Sequence, residues 1–306
     1  MSLVSLLIAL VAQSAWPPPD RRRLAALYGR LCLSTAKRLN AGDRNSGMLA
    51  YFALAFAVVV PVALVAWLAE SIHPVVRVAL DALVLYASIA FLGTAAQVGG
   101  IERSLREGDA RGAAQRLSSW QGEAVGTQEP GALARLAAEQ GLREAHHGTF
   151  AVLFWFLLLP GPVGAVIYPL TLRAARLWSL PVDPEEREFG WFAARALAAL
   201  DWAPQRTTAF AFAIVGDFED ALYCWRSQAA QWLRPDEGIV LASGAGALGV
   251  RLGDPLARDG LILDRPSLGT GEPAGEDALV SLEGMLWRAL VLWFIAYLLA
   301  AAIATF

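Results

Sequence analysis

Stretches of about 20 consecutive apolar residues constrain this chain more than any other feature of its sequence. Two of them, 48–70 and 76–98, follow each other closely, and a third covers 286–306. A helix of roughly 20 apolar residues crosses the hydrocarbon layer of a membrane, because lipid offers no hydrogen-bond partner to an exposed backbone amide. The composition agrees, since 56% of the residues are hydrophobic and only 17% are charged. We therefore predict an all-α, polytopic integral membrane protein.

The segment 148–216 contains further apolar spans, but its first half is broken by Pro160, Gly161 and Pro162. Such a break is compatible with a kinked crossing or with a re-entrant hairpin. A first helix is expected over 1–16 and is interpreted as retained, because three arginines follow its apolar run and no basic residue precedes it. Together these stretches predict about five to six membrane segments in a single domain, 1–306.

The lysines and arginines of the loops indicate the orientation of the chain. Residues 17–47 and 100–147 are rich in arginine, so both loops are expected to be cytoplasmic in a bacterial inner (plasma) membrane. Within 100–147, apolar residues at helical spacing flank a Gly-Asp turn, which predicts a helical hairpin. The segment 217–285 is interpreted as a polar loop, also cytoplasmic.

A G-x-G-x-x-G spacing, formed by Gly244, Gly246 and Gly249, follows the strand-like run 239–242. This spacing holds a dinucleotide only where it joins a strand to a long helix. Only five residues separate Gly249 from Pro255, which leaves no room for that helix. We therefore expect no dinucleotide site.

Charge and cysteine content narrow the possible partners further. The net charge of −3 disfavours nucleic acid as a partner. Cys32 and Cys224 lie far apart and in no metal-binding spacing, so we interpret them as packing residues. The lipid bilayer is the expected partner, and no cofactor or metal is predicted from these features.

Five stretches of the chain form a set of motifs: "SLREGDARGAAQRLSSWQG", "LFWFLLLPGPVGAVIYPL", "FGWFAARALAALDWAPQRTTAF", "AGALGVRLGDP" and "RPSLG". In this order and over nearly the whole chain, they resemble motifs of the CbiB/CobD family of membrane proteins. The resemblance implies cobalamin biosynthesis, in which an aminopropanol unit is joined to a cobyric acid side chain.

Two segments, "LDWAPQRTTAFAFAIVGDFEDALYCW" and "YPLTLRAARLW", point to one branch of this superfamily. They are more similar to the AmpE branch, inner-membrane proteins tied to β-lactamase induction and cell-wall recycling. Four polar motifs of the enzyme branch are also altered. His147 and Glu144 replace an Asp and an Asn, the early Pro-His-Pro reads "WPPPD", an Asn-Thr-x-Asp run is missing, and an Arg-Asp-Thr is missing after Gly122.

These departures favour an AmpE-like regulatory or signalling protein that binds a small anionic ligand or a cell-envelope partner without the amide-forming activity. The alternative is an adenosylcobinamide-phosphate synthase, which joins the aminopropanol unit to adenosylcobyric acid. Mg²⁺ is implied only under that alternative, and acids suited to hold it are sparse near the spans.

Seven residues are candidates for ligand binding. Arginines three residues apart share a helix face and can clamp an anion, or they can reach an interfacial phosphate. Ionisable groups at membrane depth tend to pair or to line a cavity, and a pair across Pro204 is one interpretation of the Leu-Asp-Trp motif. Adjacent histidines are expected to point to different helix faces. The candidates are Arg173, Arg176, Asp201, Arg206, Glu144, His147 and Arg251.

Overall fold

The computed structural model describes residues 2–16, 21–126, 129–159, 161–179, 184–258 and 261–303. Helices dominate this part of the chain, as the sequence predicts. In chain order they are α1 (Ser2–Ala15), α2 (Arg21–Leu39), α3 (Arg44–Ile72), α4 (Pro74–Ser88), α5 (Phe91–Arg106), α6 (Ala110–Gln121), α7 (Pro130–Ala145), α8 (Ala151–Leu158), α9 (Pro162–Trp178), α10 (Pro184–Val215), α11 (Phe218–Gln228), α12 (Pro235–Leu248) and α13 (Glu276–Ile303).

The chain divides into two compact units. Unit 1 comprises Met1–Ile89 and Ala151–Trp202, and unit 2 comprises Ala90–Phe150 and Ala203–Phe306. A π-helical turn (His146–Phe150) follows α7, and a short 3-10 turn (Ala229–Gln231) follows α11.

Three helical stretches in the described part of the chain are long and apolar enough to cross a membrane. They are Arg44–Ile72, Pro74–Arg106 and Glu276–Ala300, in the positions of the predicted spans 48–70, 76–98 and 286–306. Large apolar side chains on these helices are exposed, such as Phe56 at 70% and Trp67 at 65%. Exposed apolar surface of this kind is what a lipid-facing helix requires.

The second of these stretches is interrupted at Ile89 and Ala90, between α4 and α5. In unit 1, α1 packs against α4. The Gln13 side-chain amide donates hydrogen bonds to the carbonyls of Tyr86, at 2.9 Å, and Ile89, at 3.0 Å. Gln13 therefore satisfies carbonyl groups that the end of α4 leaves without helical partners.

The broken central span is a helical hairpin in unit 1. Helix α9 packs directly on α8, and a Cβ added at Gly164 would lie 1.9 Å from the Trp155 carbonyl oxygen. Nine residues of continuous helix extend about 13.5 Å, so this contact requires the chain to reverse direction. The structure thus favours the hairpin over the kinked span. Pro160 itself lies outside the described residues.

The core of unit 1 forms where α2, α3 and α9 meet the start of α10. The Tyr51 and Thr171 hydroxyls are hydrogen-bonded at 2.9 Å, and the Trp178 indole donates to the Cys32 carbonyl at 3.1 Å. Polar atoms in this buried layer therefore have partners, as burial demands.

In unit 2, α5 and α6 form the helical hairpin that the Gly-Asp turn predicts. Gly108 adopts φ 78°, a left-handed conformation that glycine tolerates readily. The Asp109 carboxylate then caps α6 by accepting from the Gly112 amide at 2.8 Å. Helix α7 packs on both α5 and α6 and buries most of its surface.

The interpretation of 217–285 as a polar loop is wrong, because most of this segment folds into regular elements of unit 2. It contains α11, α12 and the first turns of α13, with four short strands between α12 and α13. The strands pair antiparallel as β1 (Arg251–Leu252) with β4 (Leu268–Gly269), and as β2 (Leu256–Arg258) with β3 (Leu261–Leu263).

The strand-like run 239–242 is helical, since it lies inside α12. Small residues let α12 approach its neighbours closely: a Cβ added at Gly246 would lie 2.4 Å from the Asp220 carbonyl oxygen of α11. Gly249 ends the helix in a left-handed conformation. The glycine spacing therefore serves helix packing and helix termination, and the strand-turn-helix of a dinucleotide site is not formed here.

Candidate functional site

A buried ion pair fixes the loop that follows α12 in unit 2. The Glu139 side chain, on α7, is only 3% exposed. Its two oxygens accept from the Gly253 amide at 3.1 Å and from the Arg265 guanidinium at 2.8 Å. Arg265 also donates to the carbonyls of Gly253, at 3.1 Å, and Asp254, at 3.2 Å. One carboxylate and one guanidinium thus hold the backbone of this loop, which we call the 251–255 loop.

Asp254, at the tip of the 251–255 loop, has φ 67° and is the non-glycine residue with positive φ in the described part of the chain. Ser267 donates to its carboxylate at 2.8 Å, and the Arg251 guanidinium lies 3.5 Å from it. The Arg251 side chain is 41% exposed. Strained backbone of this kind persists only where its surroundings hold it, and it concentrates at functional sites. The predicted candidate Arg251 therefore lies at a built polar site.

A second buried carboxylate, that of Glu237 at the start of α12, is bound by an arginine of α7. Glu237 accepts hydrogen bonds from Arg143 of α7 at 3.0 Å and from Arg234 at 2.7 Å. Arg143 also donates to the Gln140 side chain at 2.9 Å. The Glu237 side chain is 6% exposed, so burial of its charge depends on these two arginines. Together with Glu139, this network gives α7 a charged, ordered face towards α12 and the 251–255 loop.

The histidines that follow α7 lie side by side, which corrects the expectation that they point to different helix faces. His146 and His147 begin a π-helical turn, their ring centroids are 4.8 Å apart, and both side chains are buried. The wider π turn changes the angle between successive residues, and such turns are frequent at functional sites. His146 Nδ1 lies 3.0 Å from the Thr208 hydroxyl oxygen. Two neighbouring imidazoles can supply two of the four ligands of a zinc ion.

In unit 1, the candidates Arg173 and Arg176 are half-buried on α9. Asp201, on α10, is 1% exposed and accepts a hydrogen bond of 2.7 Å from the Tyr168 hydroxyl. Tyr168 is therefore a partner of the buried carboxylate that sequence reasoning did not identify. The pairing of Asp201 with Arg206 stays a prediction.

The seven candidates thus divide between the units. Arg173, Arg176 and Asp201 belong to unit 1, and Glu144, His147, Arg206 and Arg251 belong to unit 2. Glu144 and Arg206 are half-buried. Sequence reasoning missed Glu139, Thr208 and the role of Arg265. The "RPSLG" motif pointed to Arg265, whereas Glu139 lies in a helical pattern that gives no local signal.

Both cysteines are buried and free, as their spacing predicts. Burial raises the pKa of Cys32 to about 11, against the smaller opposing effect of the Arg173 charge. Burial and then the Asp220 charge raise the pKa of Cys224 to about 11.

We expect both thiols to react with a maleimide at pH 8 at least about 100-fold more slowly than an exposed cysteine, because the thiolate is the nucleophile. Labelling should accelerate as the pH rises towards 11. Mass spectrometry of the chain after timed labelling measures this, with denatured chain as the control. Complete labelling of the folded chain within the time needed for the denatured chain would contradict the prediction.

Comparison with known proteins yields relatives across nearly the whole chain. The family model described as CobD/Cbib protein matches residues 6–285. A cobalamin biosynthesis protein CobD of Stutzerimonas stutzeri (strain A1501) is 30% identical over 299 residues, which cover 96% of each chain. A protein of the same name from Chromobacterium violaceum is 34% identical over 238 residues, 76% of this chain and 75% of the relative. None of the solved structures matches the chain.

Proposed function

We propose, from the premise that this chain belongs to the CobD/CbiB family, that it forms the amide between an aminopropanol unit and adenosylcobyric acid in cobalamin biosynthesis. The observation that carries the proposal is the match to a relative named for cobalamin biosynthesis over 96% of both chains. The synthase function is thereby favoured over the AmpE-like regulatory role, which none of these comparisons supports.

We also propose that the protein lies in the inner membrane as a multi-pass protein.

Amide formation sets two requirements that the polar groups of unit 2 can meet. An amine that attacks an activated acyl group must lose a proton as the C–N bond forms, and the oxygen of that acyl group gains negative charge until the C–O bond to the activating group, such as a phosphate, breaks and that group leaves as an anion. The imidazoles of His146 and His147 can accept a proton, and the half-exposed guanidinium of Arg251 can stabilise an anionic group. Glu139 and Arg265 act in this scheme as positioning residues, because they hold the loop that carries Arg251.

A magnesium ion does not fit the buried carboxylates of this network. Mg²⁺ takes a near-octahedral set of oxygen ligands. Glu139 is bound by Arg265, and Glu237 is bound by Arg143 and Arg234, so their oxygens already have cationic partners. We therefore assign no step of the reaction to a metal at these residues.

Complementation tests the proposal. The chain is expressed in a bacterium that lacks its own cobinamide-phosphate synthase, cobyric acid is supplied, and growth that requires cobalamin is scored. Growth is the expected result. Cells with empty vector should not grow on cobyric acid but should grow on cobinamide, which shows that the later steps are intact. If the chain is present in the membrane and cobyric acid still gives no growth, the proposal is wrong.

A further inference from the structure

The pair of helices α2 and α9 in unit 1 carries basic residues without acidic ones. Helix α2 contains six lysines and arginines, and α9 contains Arg173 and Arg176, while neither helix contains an aspartate or a glutamate. The two helices pack against each other. Each of the two helices therefore carries a net positive charge, which attracts anions.

Arg173 points from α9 towards α2. A Cβ added at Gly29 would lie 3.4 Å from Nη2 and 3.5 Å from Nε of Arg173, so the guanidinium lies over the glycine. The positive charge of Arg173 also acts on the Cys32 thiol, one turn further along α2, where it opposes the effect of burial on the pKa of that thiol.

The Nε atom of Arg173 is buried and has no hydrogen-bond partner among the residues that the structure describes. Arg44 and Arg77, also in unit 1, form ion pairs with acidic side chains. A half-buried guanidinium with an unsatisfied donor is costly unless an anion binds it. Arg presents a planar set of donors that matches phosphate or carboxylate.

We infer that Arg173, over Gly29, binds a phosphate group in unit 1. The excess of basic residues on both helices favours the doubly charged phosphate over a single carboxylate. The phosphate can belong to a lipid headgroup or to a free phosphate ester, and both present the same oxygens to the guanidinium. This inference goes beyond amide formation, since it requires no corrinoid.

Thermal unfolding of the purified full chain in maltoside detergent tests the inference, with sodium phosphate compared with sodium chloride at equal ionic strength. A ligand that binds the folded state raises Tm. We expect phosphate to raise Tm of the wild type by several degrees and to have little effect on Arg173→Gln. Arg30→Gln, which removes one exposed charge from α2, is the matched control and should respond like the wild type.

Gly29→Asp provides a second, independent variant. A Cβ added at Gly29 would make an ordinary contact with the Arg173 guanidinium, so an aspartate carboxylate one bond further on is expected to pair with Arg173 and compete with phosphate. In chloride, both Arg173→Gln and Gly29→Asp should have a Tm equal to or above that of the wild type, because each removes or neutralises an unpaired charge. A purely structural Arg173 would instead give a lower Tm for Arg173→Gln.

Bilayer nanodiscs distinguish the two sources of phosphate. If a lipid headgroup is bound, the wild type should be more stable in phosphatidylglycerol than in a galactolipid that lacks phosphate, and Arg173→Gln should show no such difference. If a free ester is bound, added phosphate should stabilise the wild type in both lipids. An equal response of wild type, Arg173→Gln and Gly29→Asp in detergent and in both lipids would overturn the inference. This binding test is independent of growth on cobyric acid.

Discussion

Replacing Glu139 with alanine is expected to lower the free energy of unfolding by about 3–5 kcal/mol, because it leaves a buried guanidinium without its counter-charge. Both side chains of the pair are shielded, with Glu139 3% and Arg265 11% exposed. The same change removes the acceptor of the Gly253 amide. At about 2–4 °C per kcal/mol for a chain region of this size, Tm should fall by roughly 10 °C, as measured by thermal unfolding.

Glu188→Ala is the matched control for this result. Glu188 forms an ion pair with Arg44 in unit 1, and both side chains are exposed, Arg44 at 57% and Glu188 at 47%. Such exposed pairs contribute little to stability, so Tm should change little. The double variant Glu139→Leu with Arg265→Met should recover part of the loss, because both charges are then removed together. A loss below about 1 kcal/mol for Glu139→Ala would show that the pair does not hold the 251–255 loop.

The second large effect is expected at Gly253. An alanine there is destabilising for two reasons: φ is 82°, and its Cβ would lie 2.1 Å from the Pro266 carbonyl oxygen. The left-handed conformation costs about 1–2 kcal/mol for a residue with a Cβ, and overpacking adds about 1–3 kcal/mol. Displacement of Pro266 would also move Arg265 away from Glu139. We therefore expect both a lower Tm and loss of growth on cobyric acid.

Gly249→Ala separates these two causes. Gly249 has φ 66°, in the same left-handed region, but no atom within 4 Å of an added Cβ. Gly249→Ala should therefore show the conformational cost alone, about 1–2 kcal/mol, and keep growth. Equal losses of Tm for Gly249→Ala and Gly253→Ala would indicate that contact with Pro266 is unimportant and that the loop tolerates displacement.

The long apolar helices could be predicted from the sequence because membrane burial imposes a length and a composition on each span. The 251–255 loop and the helices around it could not. Helix α12 contains a run of small and β-branched residues that is also typical of a strand, and its packing on α11 decides in favour of the helix. The sequence also left open whether the central span is kinked or reverses direction. A contact in the folded chain, that of Gly164 with Trp155, distinguishes a reversal from a kink.

The site was predictable only in part. Arg251 and His147 were identified from motif positions, since motifs mark chain segments that carry polar groups. Glu139 was missed, because its partner Arg265 lies 126 residues away and helical spacing does not reveal such a pair. The two histidines were assigned to different faces because the prediction assumed α-helical geometry, whereas the chain forms a π turn there. Reasoning from the α-helical period cannot predict where a helix departs from regular α-helical geometry.

The most direct test of the proposed function is the identity of the corrinoid that the chain produces. Corrinoids are extracted from a synthase-deficient host that expresses the chain and is fed cobyric acid, and they are analysed by mass spectrometry. The proposal predicts a product heavier than cobyric acid by one amide-linked aminopropanol unit, with or without phosphate, and absent with empty vector. Unchanged cobyric acid alone, with the protein present in the membrane, would contradict it.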